Sequence, residues 1–564
     1  MNVLILSINA AYSHSSLSAF ILKSALRREG IRTSVLEAVI NDPLRRIVTA
    51  AAARKPTHIL LPSYIWNARK MEAFARDIRL LLPDTVLIAG GPQSYTFDAP
   101  EDFKGLFDIV VRGECEGEIG TLLKSRPGRP ESPLLLSFEP PDFKNLPFPY
   151  TEEDLESLSN RIAYYESIRG CPYTCGYCIS GSECTGRKSL SFKDPDDVFK
   201  DIDMFLAAPP KMVKFVDRTF NVRADHAHRI WTHLADLPAD APRLTFQFEL
   251  HPGRITNEDI RILKEMPAGR VQLEIGVQSV TPEVLNESGR RGQDDWPGIK
   301  GILSELNGLD NIRTHLDQIV GLPLSDFKEA EHSMNQIMGT RPGYFQLGFL
   351  KIIPGTDFER KKKEYGFVHS AEPPYEVYKT KWMDETGIED FKKAEWSVDA
   401  LYNGGGFQRS LPYLTSRGSF LFFRGFYDRY VETLGESGQS PSKQWNSLAL
   451  CILDMFRNSE DFDYIRDLVM LDWCDRSGSG LYPPGISPRD KKEMERKREA
   501  VWKILKKNDF EGLPRDFSMR LYNKSILYLP VTQKAAEIAG GKTVLFIPSG
   551  GLPGTGTKQT FVVG

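Results

Sequence analysis

The sequence predicts an α/β protein in three parts: a doubly wound parallel sheet first, then a partial or full (β/α) barrel, then a mostly α C-terminal region. Three observations predict it. Short β-rich runs alternate with helical patterns to about residue 130 and again to about residue 370, whereas beyond about Glu372 the pattern is mainly helical. A proline-rich stretch from about Arg126 to Tyr150, ending Leu146-Pro147-Phe148-Pro149-Tyr150, reads as a linker. Four of the seven cysteines lie between Cys171 and Cys184, at the head of the second alternating region. The expected boundaries are 1–130 for the sheet, 131–160 for the linker, 161–375 for the barrel and 376–564 for the helical region.

In the first part Val3 to Ile8 is a buried strand, followed by a helix from about Ser15 to Glu29 that Gly30 closes. Arg32 to Glu37 and a helix ending near Arg54 come next, and Thr57 to Leu61, Thr85 to Ala89 and Phe107 to Val111 complete five strands. Ligands of such sheets sit at the carboxyl ends of the strands. Those ends carry Asn9 to His14, Pro62 to Trp66, Gly90-Gly91-Pro92 and Arg112-Gly113-Glu114. Two are glycine-rich, which either admits a close ligand or merely makes a turn. Barrel strands are expected at Lys214 to Val216, Leu244 to Glu249, Val271 to Gly276, Thr314 to Val320 and Phe345 to Ile353. In the third part, Ser419 to Leu434 and Arg489 to Lys507 read as helices, the latter with a solvated face because its charges are interleaved. Phe420-Leu421-Phe422-Phe423 reads as core.

Length and composition fit several ordinary globular cores: 564 residues, 41% hydrophobic and 26% charged, which excludes a disordered, collagenous or coiled-coil chain. The 72 basic residues nearly cancel the 75 acidic ones, so no global field draws nucleic acid or anionic lipid. No apolar run reaches the roughly 20 residues of a membrane helix; the best, Ile59 to Trp66, is broken by Pro62 and Ser63. Met1 to Ile8 lacks the cationic flank of a signal peptide. The cysteines are too few for a disulfide scaffold, so a metal site in a reducing compartment, the cytoplasm, is expected.

The cysteine stretch is Arg169-Gly170-Cys171-Pro172-Tyr173-Thr174-Cys175-Gly176-Tyr177-Cys178, after a strand-like run at Ile162 to Ile168. Three thiolates so spaced on one loop can hold three corners of an iron-sulfur cubane and leave the fourth iron open. Cys184 supplies the other reading, a closed four-cysteine zinc site or a fully ligated cluster, although zinc ligands usually come as two separate pairs.

With the aromatic Tyr177 immediately before its last cysteine, this motif resembles that of the radical S-adenosylmethionine (SAM) superfamily. Lys214-Phe215-Val216-Asp217-Arg218-Thr219-Phe220-Asn221, Leu273-Glu274-Ile275-Gly276-Val277-Gln278-Ser279 and Asp317-Gln318-Ile319-Val320-Gly321-Leu322-Pro323 agree with it. Together with Gly90-Gly91-Pro92 and Arg112-Gly113-Glu114-Cys115-Glu116, the whole resembles the cobalamin-binding-domain radical SAM proteins. Asn9-Ala10-Ala11-Tyr12-Ser13-His14 and Glu372-Pro373-Pro374-Tyr375-Glu376-Val377 resemble the subgroup with an uncharacterised C-terminal domain. The resemblance implies a flavodoxin-like cobalamin-binding sheet, a radical SAM barrel and a [4Fe-4S] cluster held by Cys171, Cys175 and Cys178 but not Cys184. It implies that SAM chelates the open iron and is cleaved by one electron to a 5'-deoxyadenosyl radical.

For SAM the matching positions are Tyr177 near the adenine, Glu249, Gln278, one of Arg290 or Arg291, and Asp317, with Asp217 touching SAM or substrate. A sulfonium and a zwitterion held together call for a carboxylate, a cation and amides on strand ends. Each position also has a plainer reading: Glu249 and Asp317 as strand-end carboxylates bonded to backbone, the arginines as a solvated loop. For cobalamin the positions are Asn9, His14, Ser63, Gly90, Gly91, Gly113 and Glu114. The DxHxxG pattern that supplies a lower histidine ligand is not met, because Tyr12 and Leu17 stand around His14. His14 is therefore expected to cap the next helix or touch the cofactor's edge. His226 and His228, two apart on a predicted helix, do not share a face for a metal.

The function expected is that of a cobalamin-dependent radical SAM enzyme, a methyltransferase acting on an unactivated carbon. Alternatives are a non-methylating radical rearrangement or cyclisation, and a cobalamin sensor with a structural cluster. Expected partners are a small-molecule or peptide substrate and a one-electron donor such as flavodoxin or ferredoxin, with no membrane and no nucleic acid. A nucleotide-hydrolysing tail is excluded: Gly540-Gly541-Lys542-Thr543 has Ala536 where a phosphate loop needs glycine, and Gly551 to Lys558 lacks the Lys-Ser/Thr ending.

Overall fold

The first strand, β1 (Asn2–Asn9), is almost wholly buried because its apolar side chains alternate between two helical layers. Leu4, Leu6 and Ile8 join Phe74, Ile78 and Phe103 on one face, while Val3 and Ile5 join Leu26, Ile109 and Leu123 on the other. The structure is a computed structural model that describes residues 1–181, 190–435, 441–476, 491–507, 526–528, 530–541, 544–547 and 559–562. Cys184, Lys542, Thr543 and Gly551 to Lys558 lie outside the described residues. The chain divides into two units, Met1–Ile388 and Glu389–Gly564.

In the first unit β1 pairs in parallel with β2 (Arg32–Val39) and β3 (His58–Pro62), and β4 (Val86–Gly90), β5 (Ile109–Arg112) and β6 (Leu134–Ser137) continue the sheet in the order β2-β1-β3-β4-β5-β6. Five strands are expected from sequence and six are present. Leu134 to Leu136 sit in the proline-rich stretch, and an edge strand tolerates prolines beside it. The order reverses between β1 and β3, so the loops after those strands border the crevice of the sheet. Helix α1 (Leu17–Arg28) is capped by Ser16, and Gly30 (φ 71°) closes it by donating its backbone N–H to the Arg27 carbonyl.

A second parallel sheet follows: β7 (Ile162–Tyr165), β8 (Met212–Phe215), β9 (Phe246–Leu250), β10 (Val271–Gln278), β11 (Arg313–Val320) and β12 (Tyr344–Phe349), paired in sequence order. It is a six-stranded partial barrel. Phe215, Phe248, Leu273, Ile275, Leu316 and Phe345 are fully buried on one face, and Tyr164, Lys214, Glu249, Glu274 and His315 alternate with them on the other. Asp194, Thr256 and Asp326 cap the helices Pro195–Ala207, Asn257–Lys264 and Phe327–Met338 between the strands. The two sheets meet directly. His14 bridges to Ile162 in parallel fashion, Ser15 Oγ donates to the Ile162 carbonyl (2.7 Å), and Arg161 grips Glu37 with both guanidinium arms (2.7 and 2.8 Å).

The second unit is mostly helical, with helices Ser419–Leu434, Pro441–Met455, Phe462–Arg476 and Lys491–Lys507. Phe420, Phe422 and Phe423 are buried there, and Leu421 alone of that run is exposed. A small antiparallel sheet, Ile526–Tyr528, Val544–Ile547 and Gln559–Val562, joins them; strands this short leave little periodicity to read. Buried Asp467 accepts from the Tyr528 hydroxyl (2.7 Å) and the Thr532 amide (2.8 Å), tying that region to the Phe462–Arg476 helix. Among the described residues no helix is long and apolar enough to cross a membrane.

Candidate active site

The cysteine loop leaves the carboxyl end of β7 through a turn that Asp217 fixes. From its fully buried place after β8, Asp217 accepts the Ser167 amide (2.7 Å), the Ile168 amide (2.8 Å) and the Ser167 hydroxyl (2.5 Å). Burial pushes its carboxyl up to about 7 against those three donors. Both of its oxygens are thus spent on the frame of the loop.

Cys171, Cys175 and Cys178 are unbridged thiols close enough to feel one another's charge. Burial raises the Cys171 and Cys175 thiols, and the Arg290 guanidinium works against it. Among the described residues no three His, Cys, Asp or Glu side chains converge as ligands of one ion do. Thiolates that each hold a different iron of one cluster need no such convergence. Tyr173 stacks on buried His251 (4.4 Å, 12°) and accepts from Arg254 Nε (2.6 Å). Tyr177 is half-buried, edge-on to Phe358 at 6.1 Å and beside Arg290. Two glycines make this packing feasible. A β-carbon on Gly176 would stand 2.3 Å from the Phe358 ring, and one on Gly289 (φ 73°) would stand 2.5 Å from the Thr174 carbonyl.

Of the two predicted arginines, Arg291 is exposed, whereas Arg290 reaches the cysteine loop, donates from Nε to Gln293 (2.6 Å) and from Nη2 to the Gly276 carbonyl. Gln278 ends β10 with a positive φ of 71°, just past a break in register after Gly276. Glu249 feels the Arg218 guanidinium, which also feels Cys178. Glu249 pairs with Lys214 (3.3 Å), which pairs more closely with Glu274 (2.7 Å), and Asp317 faces His315 (3.0 Å). Burial pushes the Glu249 and Asp317 carboxyls up while Lys214 and His315 respectively oppose it. Lys214 and Glu274 lie inside the segments that resemble the superfamily and His315 lies just before another, but nothing in those segments shows that the three side chains share one face of the sheet.

In the first sheet Asn9 is buried, accepting from Ser7 Oγ (2.7 Å) and donating to Glu37 Oε1 (3.0 Å) and the His14 carbonyl (3.1 Å). His14 Nδ1 shares a hydrogen bond of 2.5 Å with the Tyr164 hydroxyl. The helix cap considered for His14 is made by Ser16, because the side chain of His14 is turned to β7. Ser63 donates its amide to Gly90 (2.7 Å), and a β-carbon on Gly91 (φ 89°) would stand 2.8 Å from the Ser63 carbonyl, so these loops close on each other. Gly113 (φ 79°) opens to space. Glu114 accepts from Arg169 Nη1 (2.7 Å), which also reaches Glu116, while Arg169 Nη2 holds Glu166 (2.7 Å). His226 meets the Ser167 hydroxyl (3.1 Å) and His228 meets Asp259 (2.7 Å), so they serve separate partners. A cavity of about 410 Å³ opens between α1, the Leu146 to Pro149 turn and Arg169, lined by none of the residues predicted for SAM or cobalamin.

Comparison with known proteins agrees with this architecture. The B12 binding domain family matches residues 3–123, the Radical SAM superfamily 165–337, and the protein family of unknown function DUF4080 363–527. Among curated proteins, 2-(S-pantetheinyl)-carbapenam-3-carboxylate methyltransferase of Streptantibioticus cattleyicolor is 26% identical over 68% of this chain and 62% of its own length. The cobalamin-dependent radical SAM methyltransferase TokK of Streptomyces tokunonensis is 23% identical over 55% of this chain and 50% of its own. The chain thus spans about half to three fifths of these relatives. Among solved structures, the cobalamin-dependent SAM radical enzyme OxsB superposes with a TM-score of 0.54 at 14% identity, covering 93% of this chain and 82% of that one. TsrM from Kitasatospora setae, with cobalamin and a [4Fe-4S] cluster bound, gives 0.52 at 14% identity over 66% and 80%. A radical SAM domain takes a [4Fe-4S] cluster and SAM, and a B12-binding domain takes cobalamin. The chain thus carries a B12-binding domain, a radical SAM domain and a DUF4080 domain in that order, the arrangement of the subgroup its sequence resembles.

Proposed function

We propose that the chain is a cobalamin-dependent radical SAM methyltransferase that adds a methyl group to an unactivated carbon. The observation that carries this reading is the Arg169 junction. Two residues before Cys171, its guanidinium binds Glu114 and Glu116 from the loop after β5, so the cysteine loop and the crevice of the first sheet are built against each other. When bound, the cluster supplies the electron that cleaves SAM, and cobalamin carries the methyl group.

The chain's own residues supply placement. Cys171, Cys175 and Cys178 would hold three irons, and their mutual coupling beside the half-buried Arg290 guanidinium fits three thiolates that need a counter-charge. Arg290 and Gln278 would orient SAM, with Tyr177 on the adenine side. Glu249 and Asp317, held by Lys214 and His315, would complete the contacts to SAM. Asp217 keeps the loop in shape. Ser63, Gly90, Gly91 and Gly113 would offer backbone to cobalamin; Asn9 and His14 shape the loop beside it, and Glu114 acts through Arg169. The substrate would be a small molecule or peptide, and a flavodoxin or ferredoxin would deliver the electron in the reducing cytoplasm that unbridged thiols favour.

Anaerobic reconstitution with iron, sulfide and cobalamin, then reduction with SAM present, is expected to give SAM cleavage that Cys175→Ala abolishes. Cleavage retained by that variant would refute the cluster assignment. A product heavier by one methyl group supports methyl transfer, and an unchanged mass replaces it with another radical reaction.

A further inference from the structure

His251 follows β9 directly and is only 2% exposed, yet among the described residues neither of its ring nitrogens has a hydrogen-bond partner. Buried His58 and His226 each bond through at least one nitrogen. Leaving a buried polar atom unpaired costs about 1–3 kcal/mol, so a ring with two such atoms calls for a physical reason. Its neighbours supply one.

The ring lies flat on Tyr173 (4.4 Å, 12°), the residue midway between the predicted ligands Cys171 and Cys175. Asn221 fixes the His251 backbone from both sides, accepting its amide (2.9 Å) and donating to its carbonyl (3.0 Å). A β-carbon on Gly292, two residues after Arg290, would stand 3.8 Å from the ring's Cε1. The cysteine loop, the end of β9 and the arginine loop thus converge on one imidazole. Burial, then the Arg290 and Arg254 guanidiniums, push its pKa down to about 3; the Arg291 backbone pulls the other way but is not placed to bond. The ring is therefore neutral, with one N–H and one lone pair. In so dry a place the N–H gains most from an anionic acceptor, and the two guanidiniums draw the same kind of group.

We propose that His251 donates its N–H to an anionic acceptor of the loaded site, a sulfur of the cluster or the carboxylate of SAM. The inference rests on the assignment of Cys171, Cys175 and Cys178 as cluster ligands. His251→Phe keeps a ring on Tyr173 and removes the donor, whereas His251→Gln keeps a donor and loses the ring. Full-length wild type and both variants are reconstituted, and iron per chain, the midpoint potential of the cluster and SAM affinity are measured. Hydrogen bonds to sulfur favour the more negative, reduced cluster. With sulfur as acceptor, His251→Phe is expected to disfavour reduction about tenfold before SAM is added, which is about 59 mV for one electron, and His251→Gln to recover part of the shift. With the SAM carboxylate as acceptor, that potential stays put, SAM binds about tenfold more weakly to His251→Phe, and His251→Gln again recovers part. The unloaded His251→Phe chain, freed of two unpaired atoms, is expected to melt no lower than wild type, which separates the effect from damage to the fold. Potential and SAM affinity both unmoved, or a loss that His251→Gln does not lessen, overturns the inference and leaves the ring as packing for Tyr173. A wild-type chain that takes up no four-iron cluster refutes the cysteine assignment and this inference with it, whereas a full cluster with unmoved values refutes the role of His251 alone.

Discussion

Arg169 and Glu114 meet at 2.7 Å across the boundary between the two sheets of the first unit, and neither side chain is more than one fifth exposed. The guanidinium is shared with Glu116 and Glu166, so its removal takes a common cation from three carboxylates. Arg169→Ala is expected to cost about 3–5 kcal/mol, as breaking a buried pair does. Arg169→Lys keeps the charge but loses the fork, and should recover part of that stability while leaving cobalamin binding weakened. Urea unfolding and cobalamin titration of both variants check this.

Asp217 sets a pH dependence. Its folded pKa of about 7 stands above the ordinary carboxylate value near 4, so between those limits the folded chain holds a proton that the unfolded chain releases. Its contribution to stability is therefore greatest at low pH and declines as pH rises from about 4 to about 7. Melting temperatures of wild type and Asp217→Asn across that range should diverge, with the variant gaining on wild type as pH increases.

Gly289→Ala would force a β-carbon against the Thr174 carbonyl in a left-handed backbone. A loss of about 1–3 kcal/mol is expected, concentrated at the cysteine loop. Iron bound per chain after reconstitution should fall further than the melting temperature of the whole protein.

His14 is tied to Tyr164, and burial lowers its pKa. Tyr164→Phe should cost about 1 kcal/mol, the usual worth of one hydrogen bond. If His14 serves the junction and not cobalt, His14→Ala leaves the electron paramagnetic resonance spectrum of bound cobalt(II) cobalamin without any loss of nitrogen splitting.

Much of this was legible because each signal was local. Alternation of Leu4, Leu6 and Ile8 with Val3 and Ile5 marks a strand buried on both faces, and three cysteines within eight residues mark one loop. What was not legible depends on register between distant strands. Nothing near Lys214 in the sequence announces Glu249 and Glu274, which reach it only when β8, β9 and β10 align. Arg290 and Arg291 are chemically alike and adjacent, so only burial separates them. The sixth strand hid among prolines that usually end strands but do no harm at an edge.

The bridge between His14 and Ile162 has a mechanical consequence. It makes the opening strand of the barrel continuous with the turn leaving β1, with Arg161 and Glu37 clamping the joint. The spacing between the crevice and the thiols is thus fixed like a ruler by main chain rather than by a tether. Cutting the chain between the two sheets should therefore leave the two fragments associated, held by the bridge and the Arg161–Glu37 clamp.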